Sequence, residues 1–341
     1  MVGIVSYGFY VPKYRIKTEE IAKVWGKNPE DVKKSLMIEE KAVAGIDEDS
    51  LTMAFESASS ALSTVNVDRS KIKIVLFGSE THPYAVNPAS TILAEFLGIE
   101  KNYLAYDTEF ACKAATGALI SAQALIKSGY SDYALITASD KGMGKTHDIL
   151  EYTAASGSVS FLLGKDDLIL EILDFESFSS DTPDFWRREG IRYPSHGGRF
   201  TGKPSYFYHI ESAAKSLFKK TDLSPKDFAF AIFHMPNGKF PVQVANSLGF
   251  SFSQIKDSLT VNYLGNSYTA SALMGLMAVL EKAKPGDLIF LCSYGSGAGA
   301  DSFVLRVTKN LSEKRRKDFT KVIKDKKYID YPTYLKFMEM I

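Results

Sequence analysis

Four polar residues in this 341-residue chain are of types that could carry out covalent or proton-transfer chemistry. Cys112 heads the helix-like stretch CKAATGALISAQALI, where a thiol could form a covalent acyl intermediate. Unpaired backbone N–H groups at a helix start favour an anion, so this setting is expected to lower the thiol pKa. Taken alone, a free cysteine is usually just a small buried apolar residue. Cys292, inside the apolar run LIFLCSY, reads as core on that ground. His234 closes the run FAFAIF ahead of the turn-like MPNGK, where an imidazole can leave a sheet and face a cavity. Glu80 ends KIVLFGSE, a strand expected to be buried on both faces, and a carboxylate there needs a partner or a proton to handle. Asn266 in NYLGNSYTAS is by itself an ordinary helix N-cap. Next to an acid/base group it becomes a donor that can polarise a carbonyl.

The elements that must position these residues follow an α/β pattern, with short β-rich runs alternating with amphipathic or small-residue segments. Strands are expected at Val2 to Tyr7, Ile72 to Phe77, Tyr133 to Ala138, Val159 to Leu163, Ile169 to Phe175, Phe228 to Phe233, Leu288 to Ser293 and Phe303 to Val307. Helices are expected at Ser50 to Leu62, Pro88 to Leu97, Ala114 to Ser128, Tyr206 to Phe218, Pro241 to Leu248 and Thr269 to Ala283. A constant shift of 154 lays KIVLFGSE on AFAIFH, Cys112 on Asn266, and YALITAS on LIFLCSY. Both 112 − 80 and 266 − 234 equal 32. Strand, loop, small-residue helix and second strand thus keep register together. We read two copies of one unit, 1–165 carrying Glu80 and Cys112 and 166–341 carrying His234 and Asn266, whose strand ends can meet at a pseudo-twofold axis.

Composition narrows the function classes. The chain is 45% hydrophobic and 24% charged, and no apolar run approaches the ~18 residues of a membrane span. The start, MVGIVSYGFYVP, reads as a first strand and not as an export signal. Two cysteines make no disulfide framework and suit a reducing, cytoplasmic compartment. A net charge of +1 gives no general case for nucleic acid or an anionic membrane. His82, His147, His196 and His209 show no metal-ligand spacing, so no metal is assigned.

Three further stretches stand out. Residues 179–206, rich in Pro, Gly, aromatic and basic residues, are expected to form a long loop or flap whose Arg187, Arg188, Arg192, Arg199 and Lys203 could meet phosphates. Ser293 to Gly299, SYGSGAG, leads into a strand and not a helix, so it is no dinucleotide loop; it is a hairpin turn or a turn whose amides approach an oxyanion. The basic tail KNLSEKRRKDFTKVIKDKKYIDYPTYLKF, with acidic residues interleaved, reads as a solvated surface helix.

GSETHPYAVNPAS, DTEFACKAATGAL, FAIFHMPNGK, NYLGNS and CSYGSGAGADSF together resemble the thiolase superfamily, and within it the short archaeal-type 3-hydroxy-3-methylglutaryl-CoA (HMG-CoA) synthases, over nearly the whole chain. The resemblance implies a five-layered αβαβα thiolase fold. It also implies an acyltransferase of the mevalonate pathway of isoprenoid biosynthesis that joins acetyl-CoA to acetoacetyl-CoA through acetyl-Cys112, with Glu80 as carbon-proton base and His234 as acid. It places Asn28, Pro29, Thr153, Thr201, Asn266 and Ser296 at the substrate and Arg199 and Lys239 at CoA. No cofactor beyond the CoA thioesters is implied. The family is dimeric and similar to enzymes that associate with acetoacetyl-CoA thiolase through a small bridging protein. Type III ketoacyl carrier-protein synthases share the Cys/His/Asn set but lack the Glu, and a catalytically silent thiolase-fold scaffold subunit is the other alternative.

Overall fold

The structure, a computed structural model, describes residues 1–316 and 318–341. Its strands in chain order are β1 (Gly3–Tyr10), β2 (Tyr14–Lys17), β3 (Glu40–Val43), β4 (Ile72–Gly78), β5 (Leu104–Thr108), β6 (Tyr133–Lys141) and β7 (Ser156–Gly164). They continue with β8 (Leu170–Ser179), β9 (Phe185–Trp186), β10 (Ser195–His196), β11 (Phe230–Phe233), β12 (Leu288–Gly295), β13 (Gly299–Val307) and β14 (Lys327–Tyr328). Each of the eight expected strands is present.

Nine of them form one hydrogen-bonded sheet in the order β11-β12-β13-β8-β1-β7-β6-β4-β5. Read outward from the β1–β8 junction, the two arms repeat the same relations. On one side β1, β7 and β6 pair antiparallel, then β6, β4 and β5 parallel. On the other β8, β13 and β12 pair antiparallel, then β12 and β11 parallel. The backbone repeats in detail: Ala111 and Gly265, which precede Cys112 and Asn266 and are related by the 154 shift, both have left-handed φ, 44° and 77°.

The two-residue period of the strands sorts their side chains into layers. Ile74, Leu76, Ile136, Ile232, Ile289 and Leu291 face inward, into one core shared with Ala115, Ala118 and Ala122 of helix Ala114–Lys127 and with Ala272, Leu273 and Leu276 of helix Ser271–Leu280. Val75, Phe77 and Leu135 face outward under helices Ser50–Ser63 and Ala89–Phe96. Ala231, Phe233, Phe290 and Cys292 do the same under helices Tyr208–Thr221 and Lys239–Leu248. Helix, half-sheet, helix pair, half-sheet and helix make the five layers. Small residues, Ala115, Ala118 and Ala122 on one inner helix and Ser271, Ala272 and Gly275 on the other, let these helices pack closely.

One expectation is corrected and two elements are added. The stretch YLAYDTEFA ahead of Cys112, strand-like or looping by its sequence, contains strand β5, whose residues are all half-buried, as an edge strand's are. Short runs with no alternation, YRIK, EKAV and KY, form a second sheet, β14-β2-β3. The basic tail is not one solvated helix but a strap of short pieces, Leu311–Lys314, Phe319–Lys324, β14 and Tyr331–Phe337. Phe319 is buried edge-on against Phe9, Lys326 pairs with Glu40, and Arg315 donates to the carbonyls of Glu281 and Ala283. Lys317 of that tail lies outside the described residues.

Candidate active site

Strand β4 delivers Glu80 to the centre of the molecule because Gly78 carries no side chain: a Cβ there would stand 2.5 Å from the backbone nitrogen of Ala115, at the start of the helix after Cys112. The approach places the two reactive groups in contact. Cys112 Sγ donates to Glu80 Oε1 at 2.8 Å, both side chains being buried. The Cys112 turn is held from the other arm as well. Lys113 forms a buried ion pair of 2.9 Å with Asp301 of β13, which also accepts from Thr116 at 2.7 Å. Gly295, whose Cβ would meet the Phe110 carbonyl at 2.4 Å, lets the β12–β13 hairpin close onto the same turn. Ala111 in the left-handed region costs roughly 1–2 kcal/mol, carried by this clamp.

Asp140, at the end of β6, ties the two copies together. Its Oδ1 accepts from Ser79 Oγ at 2.7 Å, Glu80 N at 2.9 Å and Thr81 Oγ1 at 2.7 Å, and its Oδ2 from Thr269 N at 2.9 Å. Burial raises its carboxyl, which these donors oppose. Burial first, and then the charge of Asp140, push Glu80 up to about 8. The Cys112 thiol is raised well above its usual value by burial and by Glu80. The lowering expected from the helix start is therefore overturned: the helix begins only at Ala114, and desolvation with a carboxylate at hydrogen-bond distance outweighs its partial charge.

Cys112 opens onto a cavity of about 230 Å³ lined also by Thr153, Thr201, Asn266, Ser296, Tyr268, His196 and Phe240. Four expected substrate residues thus converge on the thiol. Glu80 faces a larger cavity, about 780 Å³, that shares Phe185 and Ser296 with the first. His234 lies buried at the end of β11, its ring 6.0 Å from that of Tyr294, with Pro236 and Asn237 of its loop reaching the Cys112 cavity. Neither ring nitrogen has a partner among the described residues, and burial lowers the imidazole to about 3, so it is neutral. Asn266 is held by backbone bonds, its N–H to Thr153 O at 2.7 Å and its carbonyl from Ala155 N at 2.9 Å, while its Oδ1 accepts from Tyr268 N.

The remaining predicted residues sit at the periphery. Asn28 caps helix Pro29–Leu36 and lines a cavity of about 370 Å³ that shares Leu36 and Ile149 with the inner one; Pro29 is the first residue of that helix. Arg199 is exposed beside cavity-lining Gly198, and Lys239 half-buried between Asn237 and Phe240. In the flap, Arg187 donates to the Glu80 carbonyl at 2.7 Å and Arg192 to that of Met338, so both hold backbone. Cys292 packs its side chain in the outer layer, and its carbonyl accepts from the His234 N–H at 2.8 Å. Among the described residues no group of three or more His, Cys, Asp or Glu could hold a metal. Sequence reasoning missed Asp140, Asp184 and Tyr268. Asp184 accepts from Tyr294 Oη at 2.9 Å, and Tyr268, left-handed at φ 50°, packs on Cys112. A signal existed only for Asp140, an acid continuing the apolar strand run YALITAS.

A two-arm sheet with a thiol at one arm's loop and an imidazole and an amide at the other's defines a condensing enzyme of the thiolase superfamily. The family model for the C-terminal part of 3-oxoacyl-[acyl-carrier-protein] synthase III matches residues 218–307. Hydroxymethylglutaryl-CoA synthase of Methanosarcina barkeri is 50% identical over 339 residues, covering 98% of this chain and 97% of that protein. That of Pyrobaculum arsenaticum is 47% identical, covering 100% and 98%. A crystal structure of an HMG-CoA synthase complexed with CoA superposes with a TM-score of 0.91 at 27% identity, covering 98% of this chain and 89% of that one. The chain belongs to the hydroxymethylglutaryl-CoA synthase family.

Proposed function

We propose that this chain condenses acetyl-CoA with acetoacetyl-CoA and water to give (3S)-3-hydroxy-3-methylglutaryl-CoA and free CoA, in the mevalonate pathway of isoprenoid biosynthesis. The observation that carries the reading is the 2.8 Å contact between Cys112 Sγ and Glu80 Oε1. In the first step Glu80 carboxylate takes the thiol proton as sulfur attacks the acetyl carbonyl, and CoA leaves as its thiol with that proton. In the second, Glu80 removes a methyl proton from acetyl-Cys112, and the carbanion attacks the ketone carbon of acetoacetyl-CoA. The ketone oxygen is met by the N–H of neutral His234 and the amide of Asn266; as the new bond forms it takes the His234 proton, which the proton held by Glu80 replaces by way of solvent, restoring the Glu80 carboxylate. Water then cleaves the thioester and regenerates the Cys112 thiol.

Thr153, Thr201 and Ser296 border the acyl group, Arg199 and Lys239 meet CoA phosphates, and Asn28 and Pro29 lie beside the outer cavity along which a thioester arm reaches the thiol. The reading requires no metal and no cofactor beyond the CoA thioesters. A cytoplasmic homodimer, associated with acetoacetyl-CoA thiolase through a small bridging protein, completes it; edge strand β5 and exposed Val86 and Phe96 support a subunit contact. No helix is long and apolar enough to cross a membrane among the described residues.

The match to a carrier-protein synthase model favours a second reading, condensation of a carrier-bound extender. There the carbanion comes from loss of CO₂ and no carbon base is needed, which leaves Glu80 without its task in the second step. Incubation with acetyl-CoA followed by peptide mass, then addition of acetoacetyl-CoA with CoA release followed by a thiol reagent, tests the proposal. Acetyl on Cys112 and release dependent on Glu80 are expected; turnover unchanged in Glu80→Ala overturns the role of that base.

A further inference from the structure

The C-terminal strap takes no part in the chemistry above, yet its last helix, Tyr331–Phe337, reaches the wall of the acyl cavity. Tyr331 Oη donates to Glu151 Oε1 at 2.7 Å, and Lys41 Nζ donates to Tyr334 Oη at 3.2 Å and to the backbone carbonyl of Glu151. Glu151 Oε2 accepts from Trp25 Nε1 at 2.9 Å and His147 N at 2.8 Å, so both carboxylate oxygens of this fully buried side chain are engaged. Glu151 belongs to helix Ile149–Thr153, whose Ile149, Leu150 and Thr153 line the Cys112 cavity. Thr153 in turn accepts from the Asn266 N–H. Lys41 also braces the far side of that junction, its Cβ lying 2.8 Å from where a Cβ on Gly265 would stand.

A buried charged network is weak as a source of stability, since well-packed apolar residues often serve as well. Fully satisfied, it fixes positions. We propose that Tyr331 and Tyr334, acting through Glu151 and Lys41, form a strut that sets Thr153 and Asn266 for the condensation step, which makes both tyrosines positioning residues for a site they do not touch. Burial lowers Lys41 to about 7, and the amine donates to the Glu151 carbonyl in either protonation state. The inference rests on the assignment of Asn266 to the ketone of acetoacetyl-CoA. It predicts a split between the two half-reactions, because the proton transfer of acetylation runs between Cys112 and Glu80, whereas Asn266 acts only once the ketone of acetoacetyl-CoA is present.

The test uses full-length Tyr331→Phe and Tyr334→Phe, which keep the packed rings. Acetylation of Cys112 by acetyl-CoA alone is followed by mass, and condensation by CoA release after acetoacetyl-CoA is added. Since small misplacements of reacting groups are costly, condensation kcat is expected to fall about tenfold with acetylation held within about twofold. Wild-type condensation in both variants overturns the strut, and so does an equal fall in both rates, the mark of a general loss of folded protein. Lys41→Met, which keeps the stem and removes the hydrogen bonds from the opposite side, must show the same split, and full activity there also overturns it. Failure of the unaltered enzyme to acetylate Cys112 overturns the proposed reaction itself.

Discussion

Equivalent loops in the two halves of the molecule have opposite electrostatic character. In the first, Glu80 and Cys112 share a hydrogen bond, and Glu80 is raised to about 8 and the thiol well above its usual value. In the second, His234 has no partner on either ring nitrogen among the described residues and is lowered to about 3, and Asn266 has no charge to lose. The same strand ends and left-handed turns support both. Burial drives both shifts, and it does so in opposite directions because it always disfavours the charged form. Two matching backbone arrangements thus carry a carboxyl–thiol pair in one arm and uncharged polar groups in the other, as the proposed reaction, which makes a carbanion and receives an alkoxide, needs.

The strongest way to break this comparison is Cys112→Ala, which should leave no acetyl adduct by mass and lower turnover by ~10⁴-fold or more. Next, Glu80→Gln should lower condensation by ~10³-fold; CoA release at the native rate would remove the proton-accepting half. His234→Asn should cost condensation ~10²-fold and leave Cys112 acetylation within a few-fold. Equal damage to both steps would show that the halves do not divide the work. Asn266→Ala, in single-turnover condensation, should cost about tenfold.

The smallest effect is on stability, and its sign differs between the halves. Glu80 titrates near 4.5 when unfolded and near 8 when folded, so its contribution is complete below 4.5 and is lost as pH rises through 8. His234 is shifted from 6.5 to about 3, so its contribution is present above 6.5 and is lost as pH falls toward 3. The melting temperature of Glu80→Gln should therefore gain on the native enzyme by roughly 5 °C between pH 5 and pH 9. A gap that stays constant with pH would show that Glu80 is not raised.

That Glu80, Cys112, His234 and Asn266 stand at matching places in the two arms was legible because the spacing repeats: 32 residues in each arm lead from the strand end to the turn ahead of the inner helix. The inner layer was legible from its small residues. The thiol's protonation was misread because the helix start is a sequence neighbour, whereas the desolvating wall and Glu80 arrive through the fold. Strand β5 was half-read because an edge strand need not be apolar, and β2, β3 and β14 are too short to show a period. Asp140 escaped notice because a single acid at the end of an apolar run looks like a boundary, and Glu151 because it stands inside the short stretch ILEYT; only the fold reveals what each one gathers around it.

The hydrogen bond from Cys112 to Glu80 also governs what the enzyme ignores. Peroxide and alkylating reagents consume thiolate, and a buried thiol hydrogen-bonded to Glu80 and raised well above its usual value offers them little at neutral pH. A thioester that fills the cavity brings an electrophilic carbon to the sulfur next to the group that accepts its proton. Selectivity against oxidants and selectivity for acyl groups are then one property, and iodoacetamide should label Cys112 far more slowly than acetyl-CoA acylates it.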